Sequence, residues 1–204
     1  MLFEDTYRTI ATPTEGLFKD RGSKFLAFAY PIENESEVKK LLEPLKKEHF
    51  KANHHCYAFR LGQDRTNFRV NDDGEPSGSA GRPILNVLLS KDLTNILVVV
   101  VRYFGGTLLG VPGLINAYKS ATQEALANAS ILEKTVNEVY EITFAYQLMN
   151  DVMKVVKDFD LKVVSQHFDN ECIILLSFRK TLTNQVLGKL EKIEGINIVF
   201  KGLG

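Results

Sequence analysis

Two glycine-rich loops hold most of the residues that chemistry could use. The first is NDDGEPSGSAG, residues 71–81, and the second is RYFGGTLLGVPG, residues 102–113. Each runs into a stretch that reads as a helix. A helix N-terminus carries unpaired N–H groups and a partial positive charge. Glycine lets a backbone approach an anion closely. Arg82 and Arg102 add charged donors. Together the segments 72–83 and 102–113 describe a pocket for an anion or phosphate. Neither loop carries the GxxxxGK[ST] of a Walker A motif or a GxGxxG after a strand. The plainer reading stands beside the pocket: the glycines serve tight turns and close packing.

Other chemistry is weaker. Asp72, Asp73 and Glu75 offer oxygen ligands for a hard cation, but not at EF-hand spacing. Acids in a turn more often bond local N–H groups, so no metal is expected. His54 and Cys56 carry zinc-binding atoms and share one face of a strand, whereas His55 falls on the other. Two ligands are too few. A Cys beside a His is also a nucleophile pair, although such a Cys is more often a small buried residue. Ser77 and Ser79 lie on a loop without a GxSxG elbow.

These residues need a scaffold. ILVVVV at 96–101 predicts a central strand buried on both faces, ending at Arg102. His54–Leu61 alternates, with His55, Tyr57, Phe59 and Leu61 on one side. Tyr7–Thr12, Lys24–Pro31 and Phe68–Val70 read as further strands. Ser36 is the expected N-cap of a helix running to about His49, with Val38, Leu41, Leu42 and Leu45 inward. Its Lys39, Lys40, Lys46 and Lys47 make a basic patch. That patch is either a solvated face, with Glu43 pairing at i±4, or a phosphate-facing surface. Helices are expected at Pro83–Leu89 and from Gly113 to Asn128, the latter turning Leu114, Ala117, Tyr118, Ala121 and Ala125 inward.

The pattern changes over Ser130–Asn137, which reads as a boundary between domains 1–133 and 134–204. Beyond it come Glu138–Phe144, a helix over Tyr146–Phe159 and strands Leu161–Phe168 and Glu171–Phe178 around an Asp169-Asn170 turn. A helix over Leu182–Ile193, stopped by Gly195, and a short strand at Asn197–Lys201 complete it. That β-α-β-β-α-β order is ferredoxin-like.

Composition narrows the function classes. The chain of 204 residues has 25 basic and 25 acidic side chains, and each half balances separately. Nucleic-acid binders usually show a basic excess or face, so only a local patch would serve. No apolar run reaches the ~18–20 residues of a membrane span. MLFEDTYRTI does not read as a signal peptide. Cys56 and Cys172 are far apart and fit a reducing cytoplasm, so the expected location is cytoplasmic.

DDGEPSGSAG followed by RPIL, then VVVVRYFGGTLLGVPGLINAY, resembles the YigZ/Impact family. SKF at 23–25 and ANHHCYAFR at 52–60 extend the resemblance over roughly residues 10–130. It implies an α+β protein. The N-terminal domain would be a two-layer α/β sandwich resembling a ribosomal-protein domain and elongation factor G domain IV. The C-terminal one would be a ferredoxin-like βαββαβ domain resembling elongation factor G domain V. Eukaryotic relatives regulate translation initiation, using a further domain, and bacterial members are proposed to associate with nucleic acid or ribosomes. The sequence departs from the family at Ser79, where Thr is common, at Val111-Pro112, where T-G is frequent, and at Asn116, where a basic residue is common. The last change weakens phosphate binding at the second loop.

Three functions follow. One is a non-catalytic, translation-linked regulator that binds RNA or a ribosomal or translation-factor surface. The alternative is an enzyme or sensor holding a small phosphorylated or nucleotide ligand between the loops. The third is an interaction domain whose loops merely pack. The ligand- or RNA-binding candidates are His54, Cys56, Asp72, Asp73, Glu75, Ser77, Ser79, Arg82, Arg102, Tyr103, Gly105 and Gly106. No cofactor, membrane or sequence-specific DNA contact is expected. Some members carry a proline-dipeptidase assignment, for which this sequence has no evident metal-ligand set.

Overall fold

Alternation and β-branching set the strands of the first part of the chain. The computed structural model describes residues 5–63, 65–169 and 171–203. In chain order the elements are β1 (Thr6–Ile10), β2 (Thr14–Asp20), β3 (Ser23–Pro31), α1 (Ser36–Glu48), β4 (His54–Leu61), β5 (Asn67–Asn71), α2 (Gly81–Ser90), β6 (Ile96–Tyr103), α3 (Gly110–Ala127) and β7 (Ile131–Thr135). β2-β3-β6-β4-β5 form one antiparallel sheet. β6 lies at its centre, and Ile96–Val101 are fully buried. An unbroken β-branched run suits a strand covered on both faces.

The two faces bury different partners. Phe25, Ala27, Cys56, Ala58, Val98 and Val100 pack against α2 and α3, while Phe28, Phe59, Leu97, Val99 and Val101 pack with Val38 and Leu45 of α1. The inward stripe of α3 is as read: Leu114, Ala117, Tyr118, Ala121 and Ala125 are all buried. Its small residues allow close approach. A Cβ on Gly16 of β2 would lie 2.2 Å from the Ala125 amide nitrogen, so only glycine fits there. α3 begins at Gly110 rather than Gly113, which puts Pro112 in the first turn, where a missing N–H costs nothing.

Several local expectations change. Ser36 does not cap α1. The cap position is Glu35, and Glu37 instead accepts the amides of Glu33 and Asn34 at 3.0 and 3.1 Å. β2 falls where no strand was expected, because this edge strand alternates only weakly, its burial running between half-buried and exposed. Ser130–Asn137 contains β7, paired with β1. Every residue of β7 is exposed, so it has no periodicity to read.

Contacts divide the chain into two compact units: residues 7–134, and residues 135–204 together with those up to Thr6. The second unit holds β8 (Asn137–Phe144), a 3-10 turn (Tyr146–Leu148), α4 (Met149–Asp158), β9 (Lys162–Phe168), β10 (Cys172–Arg179), a second 3-10 turn (Lys180–Leu182), α5 (Thr183–Leu190) and β11 (Asn197–Leu203). Its antiparallel sheet runs β11-β8-β10-β9. That is the ferredoxin-like βαββαβ arrangement, and the whole chain is α+β. Ile142, Phe144, Ile174 and Leu176 meet Val152, Val186 and Leu190 in its core. α5 stops at Leu190, before Gly195, whose φ of +89° serves the turn into β11. Asn170 of the expected hairpin turn lies outside the described residues. No described helix is long and apolar enough to cross a membrane.

Candidate binding cleft

The two glycine loops meet. Glu75 and Pro76 from the first, and Arg102, Phe104 and Leu108–Val111 from the second, line one open cleft of about 430 Å³ with Asn53, His54 and Leu114. β4 and β6 are neighbours, with His54 opposite Arg102, so strand pairing brings the two segments together. Asn53 locks the mouth. Its amide donates to the Arg102 carbonyl and its Oδ1 accepts the Phe104 amide, both at 2.9 Å.

A buried ion pair forms the floor. Arg102 Nη1 donates to Glu75 Oε1 at 2.6 Å, and the Tyr118 hydroxyl donates to the same oxygen at 2.8 Å. Arg102 is 5% exposed and Glu75 8%. The guanidinium lies over the rings of Phe25 and Phe104, 5.4 and 5.6 Å from their centroids. Charge, hydrogen bonds and ring faces thus fix its position. A charge buried this deeply demands a partner, and Glu75 supplies it.

Below lies Cys56, whose Sγ is 3.0 Å from the Asp72 carbonyl, which accepts its single S–H, and 3.3 Å from the Tyr118 hydroxyl. Burial pushes the Cys56 thiol far above its ordinary value, with the Tyr118 hydrogen bond a smaller opposing effect. Burial, with Cys56 and Glu75 alongside, likewise holds the Tyr118 phenol protonated. A thiol this buried and held protonated is poorly suited to act as a nucleophile or ligand. His54 shows a ring edge to the cleft. Its Nδ1 lies 2.8 Å from the Asp73 carbonyl, so Nδ1 carries the proton, and Nε2 is 3.9 Å from Glu75 Oε1.

The remaining acids hold the first loop. Asp72 Oδ1 accepts the amides of Ala80 and Gly81 at 3.1 and 2.8 Å, and its Oδ2 accepts that of Gly78 at 2.8 Å. The N-terminus of α2, expected to be free for an anion, is already occupied by the chain's own carboxylate. Asp73, at φ +42°, accepts the His55 amide at 2.6 Å. Ser79 is buried and donates to the Pro76 carbonyl at 2.6 Å, whereas Ser77 is exposed.

Other candidates lie elsewhere. Arg82 is exposed and does not line the cleft. Tyr103 points to the opposite sheet face, where its hydroxyl meets His49 Nδ1 at 2.9 Å. Gly105 is a packing glycine: a Cβ there would lie 1.9 Å from the Gly22 carbonyl carbon. Gly106 takes φ +86° in open space, a turn conformation that favours glycine. Lys39, Lys40, Lys46 and Lys47 are exposed on α1, on the sheet face away from α2 and α3, and Lys39 lies 3.7 Å from Glu43. Sequence reasoning counted Tyr118 as packing only. The available signal was a hydroxyl in a stripe of alanine and leucine, since a buried tyrosine seeks a hydrogen-bond partner. Phe104, Leu108 and Leu109 carried no periodic signal.

The Impact N-terminal domain model matches residues 21–126, which include every residue of the cleft. The chain belongs to the IMPACT family. An IMPACT family member of Haemophilus influenzae is 31% identical, with 82% of this chain and 86% of that protein covered. The Escherichia coli member YigZ is 31% identical over 81% of each, and the Bacillus subtilis member YvyE 30% over 80% and 75%. A crystal structure of a hypothetical protein matches with a TM-score of 0.73 at 25% identity, covering 97% of this chain and 98% of that one. The IMPACT family model thus spans both glycine loops and the strands that join them.

Proposed function

We propose that this chain is a non-catalytic, translation-linked regulatory protein of the cytoplasm that uses the cleft to hold a protein surface of the translation machinery. The translation link rests on family membership. The choice of partner rests on one observation: the cleft rim is apolar and exposed. Leu108 is 82% exposed, Val111 46% and Phe104 44%. Exposed apolar residues gathered at a concave site mark recognition surfaces. The single guanidinium there already answers Glu75, and the lysines of α1 lie on the other sheet face, so phosphate-backbone recognition has little to work with. The absence of an activated nucleophile among the cleft residues supports a binding role.

Purified ribosomal subunits and translation factors, captured on immobilised protein, test this. We expect Leu108→Asp to abolish capture while the melting temperature stays at the wild-type value. Capture that falls steeply with salt and ignores Leu108→Asp would point instead to RNA. The small phosphorylated or nucleotide ligand is less favoured, because Asp72 sits where its phosphate would meet α2.

A further inference from the structure

Arg102, which lines the cleft, has an unpaired donor edge. Arg102 turns only Nη1 to Glu75. Its Nε–H and one Nη2–H lie along the other edge of the planar guanidinium. Among the described residues neither Nε nor Nη2 makes a hydrogen bond, and Nε is buried. A buried donor without an acceptor is costly, and this edge is the fork that fits a carboxylate bidentately. Phe25 and Phe104 hold the guanidinium plane, so the fork is already oriented.

The N-terminus of α3 opens onto the same cleft through Gly110 and Val111. α3 has no side-chain cap and no acid in its first turn. α2 gives the contrast within this fold, since its N-terminal amides bind the Asp72 carboxylate. Among the described residues no carboxylate accepts the first amides of α3. Two independent features of the cleft lining therefore ask for a negative charge: the uncapped helix end and the unpaired guanidinium edge.

The walls limit which anion. Glu75 already offsets one positive charge, and Arg102 is the only Lys or Arg among the lining residues. The pair is neutral by itself, so a phosphate dianion would bring two negative charges beside the Glu75 carboxylate, whereas a carboxylate brings one, part of which the partial positive charge at the start of α3 offsets. Leu108, Leu109, Val111 and Leu114 then require an apolar group attached to that anion. The apolar surface continues outside the cleft along α3 to Ile115, 40% exposed, which is more surface than a small acid would cover.

Resting on the protein-surface reading above, we propose that the cleft binds the C-terminal residue of a partner chain. The free carboxylate seats on the Nε/Nη2 edge of Arg102 and the amides at the start of α3. The terminal side chain is apolar and lies among Leu108, Leu109 and Val111, with the preceding residues along α3.

The test uses the full chain and fluorescein-labelled octapeptides of one neutral sequence ending in Leu, as free acid and as C-terminal amide, read by fluorescence polarisation. We expect the free acid to bind at least about tenfold tighter than the amide, the scale of a charged hydrogen-bond pair. Replacing the terminal Leu by Asp, or Leu108 by Asp in the protein, should abolish binding. Arg102→Gln should equalise acid and amide. Because Arg102 is buried, the acid–amide comparison on the wild-type chain decides the matter if that variant does not fold. Equal affinity for acid and amide, or no binding by either, overturns the proposal. So does octanoate competing as effectively as the peptide, which would make the ligand a free small acid. The capture experiment with Leu108→Asp reports separately on the broader reading, so loss of one does not imply loss of the other.

Discussion

Glu75 and Asp72 stand three residues apart in one loop and do opposite things. Asp72 is a cap, engaged by three backbone amides. Glu75 is the counter-ion of a buried arginine. Removing a cap costs about 0.5–2 kcal/mol, whereas leaving a buried charge unpaired costs about 3–5 kcal/mol. We therefore expect Glu75→Ala to lower the urea-unfolding free energy more than Asp72→Ala does, by about 2 kcal/mol. The sequence shows three acids in a turn but not which one faces inward, because that choice depends on Arg102, 27 residues away. His55 gives a pH dependence. Burial lowers its pKa below the ordinary 6.5; nearby Asp73 opposes this, while Lys46 and His49 add to it. The unfolded chain then binds the proton more readily than the folded one. The stability from a neutral His55 is complete above pH 6.5 and declines as the pH falls below it. Urea midpoints measured from pH 7.5 down to pH 5 should fall for the wild type and vary less for His55→Gln.

At the scale of elements, legibility follows burial. β6 was readable because both of its faces are covered and every residue reports it. β4 was readable through its run of aromatic and aliphatic residues, and the inner stripe of α3 through its small ones. β2 and β7 were not, since an edge strand and an exposed strand have little apolar signal. The cleft was half legible: its loops stood out by composition, while its apolar rim and the role of Tyr118 depend on strand pairing. Two glycines of the second loop now separate by mechanism. A methyl on Gly105 collides with the backbone of Gly22, while one on Gly106 meets open space but an unfavourable φ. Overpacking costs about 1–3 kcal/mol and a left-handed residue about 1–2. Gly105→Ala should also shift the β2–β3 turn, seen as faster amide exchange at Gly22 and Ser23, which Gly106→Ala should leave unchanged.

At the scale of the whole molecule, the two units have separate cores, and we propose that each folds as a unit of its own. Asp5 tests this. Its carboxylate takes two hydrogen bonds from Arg179, at 3.0 and 3.1 Å, and one from Thr181 at 2.8 Å. The Arg179 hydrogen bonds, with that of Thr181, hold its pKa below the ordinary 3.8. Asp5→Ala should raise hydrogen exchange in β8 and β10 while β3 and β6 keep their protection, as read by mass spectrometry. Loss of protection in both sheets together would mean a single cooperative unit.

The Asp5–Arg179 tie also sets an order of events. During synthesis the residues of the 7–134 unit are all available before Arg179 exists. At ~5–20 residues per second the wait from Lys134 to Arg179 is a few seconds, long compared with the folding of most small domains. The Asp5 carboxylate therefore stays without Arg179 and Thr181 while the cleft-bearing unit assembles. A nascent chain from which Lys134 has emerged, but not Arg179, would carry a formed cleft and an Asp5 carboxylate without its arginine.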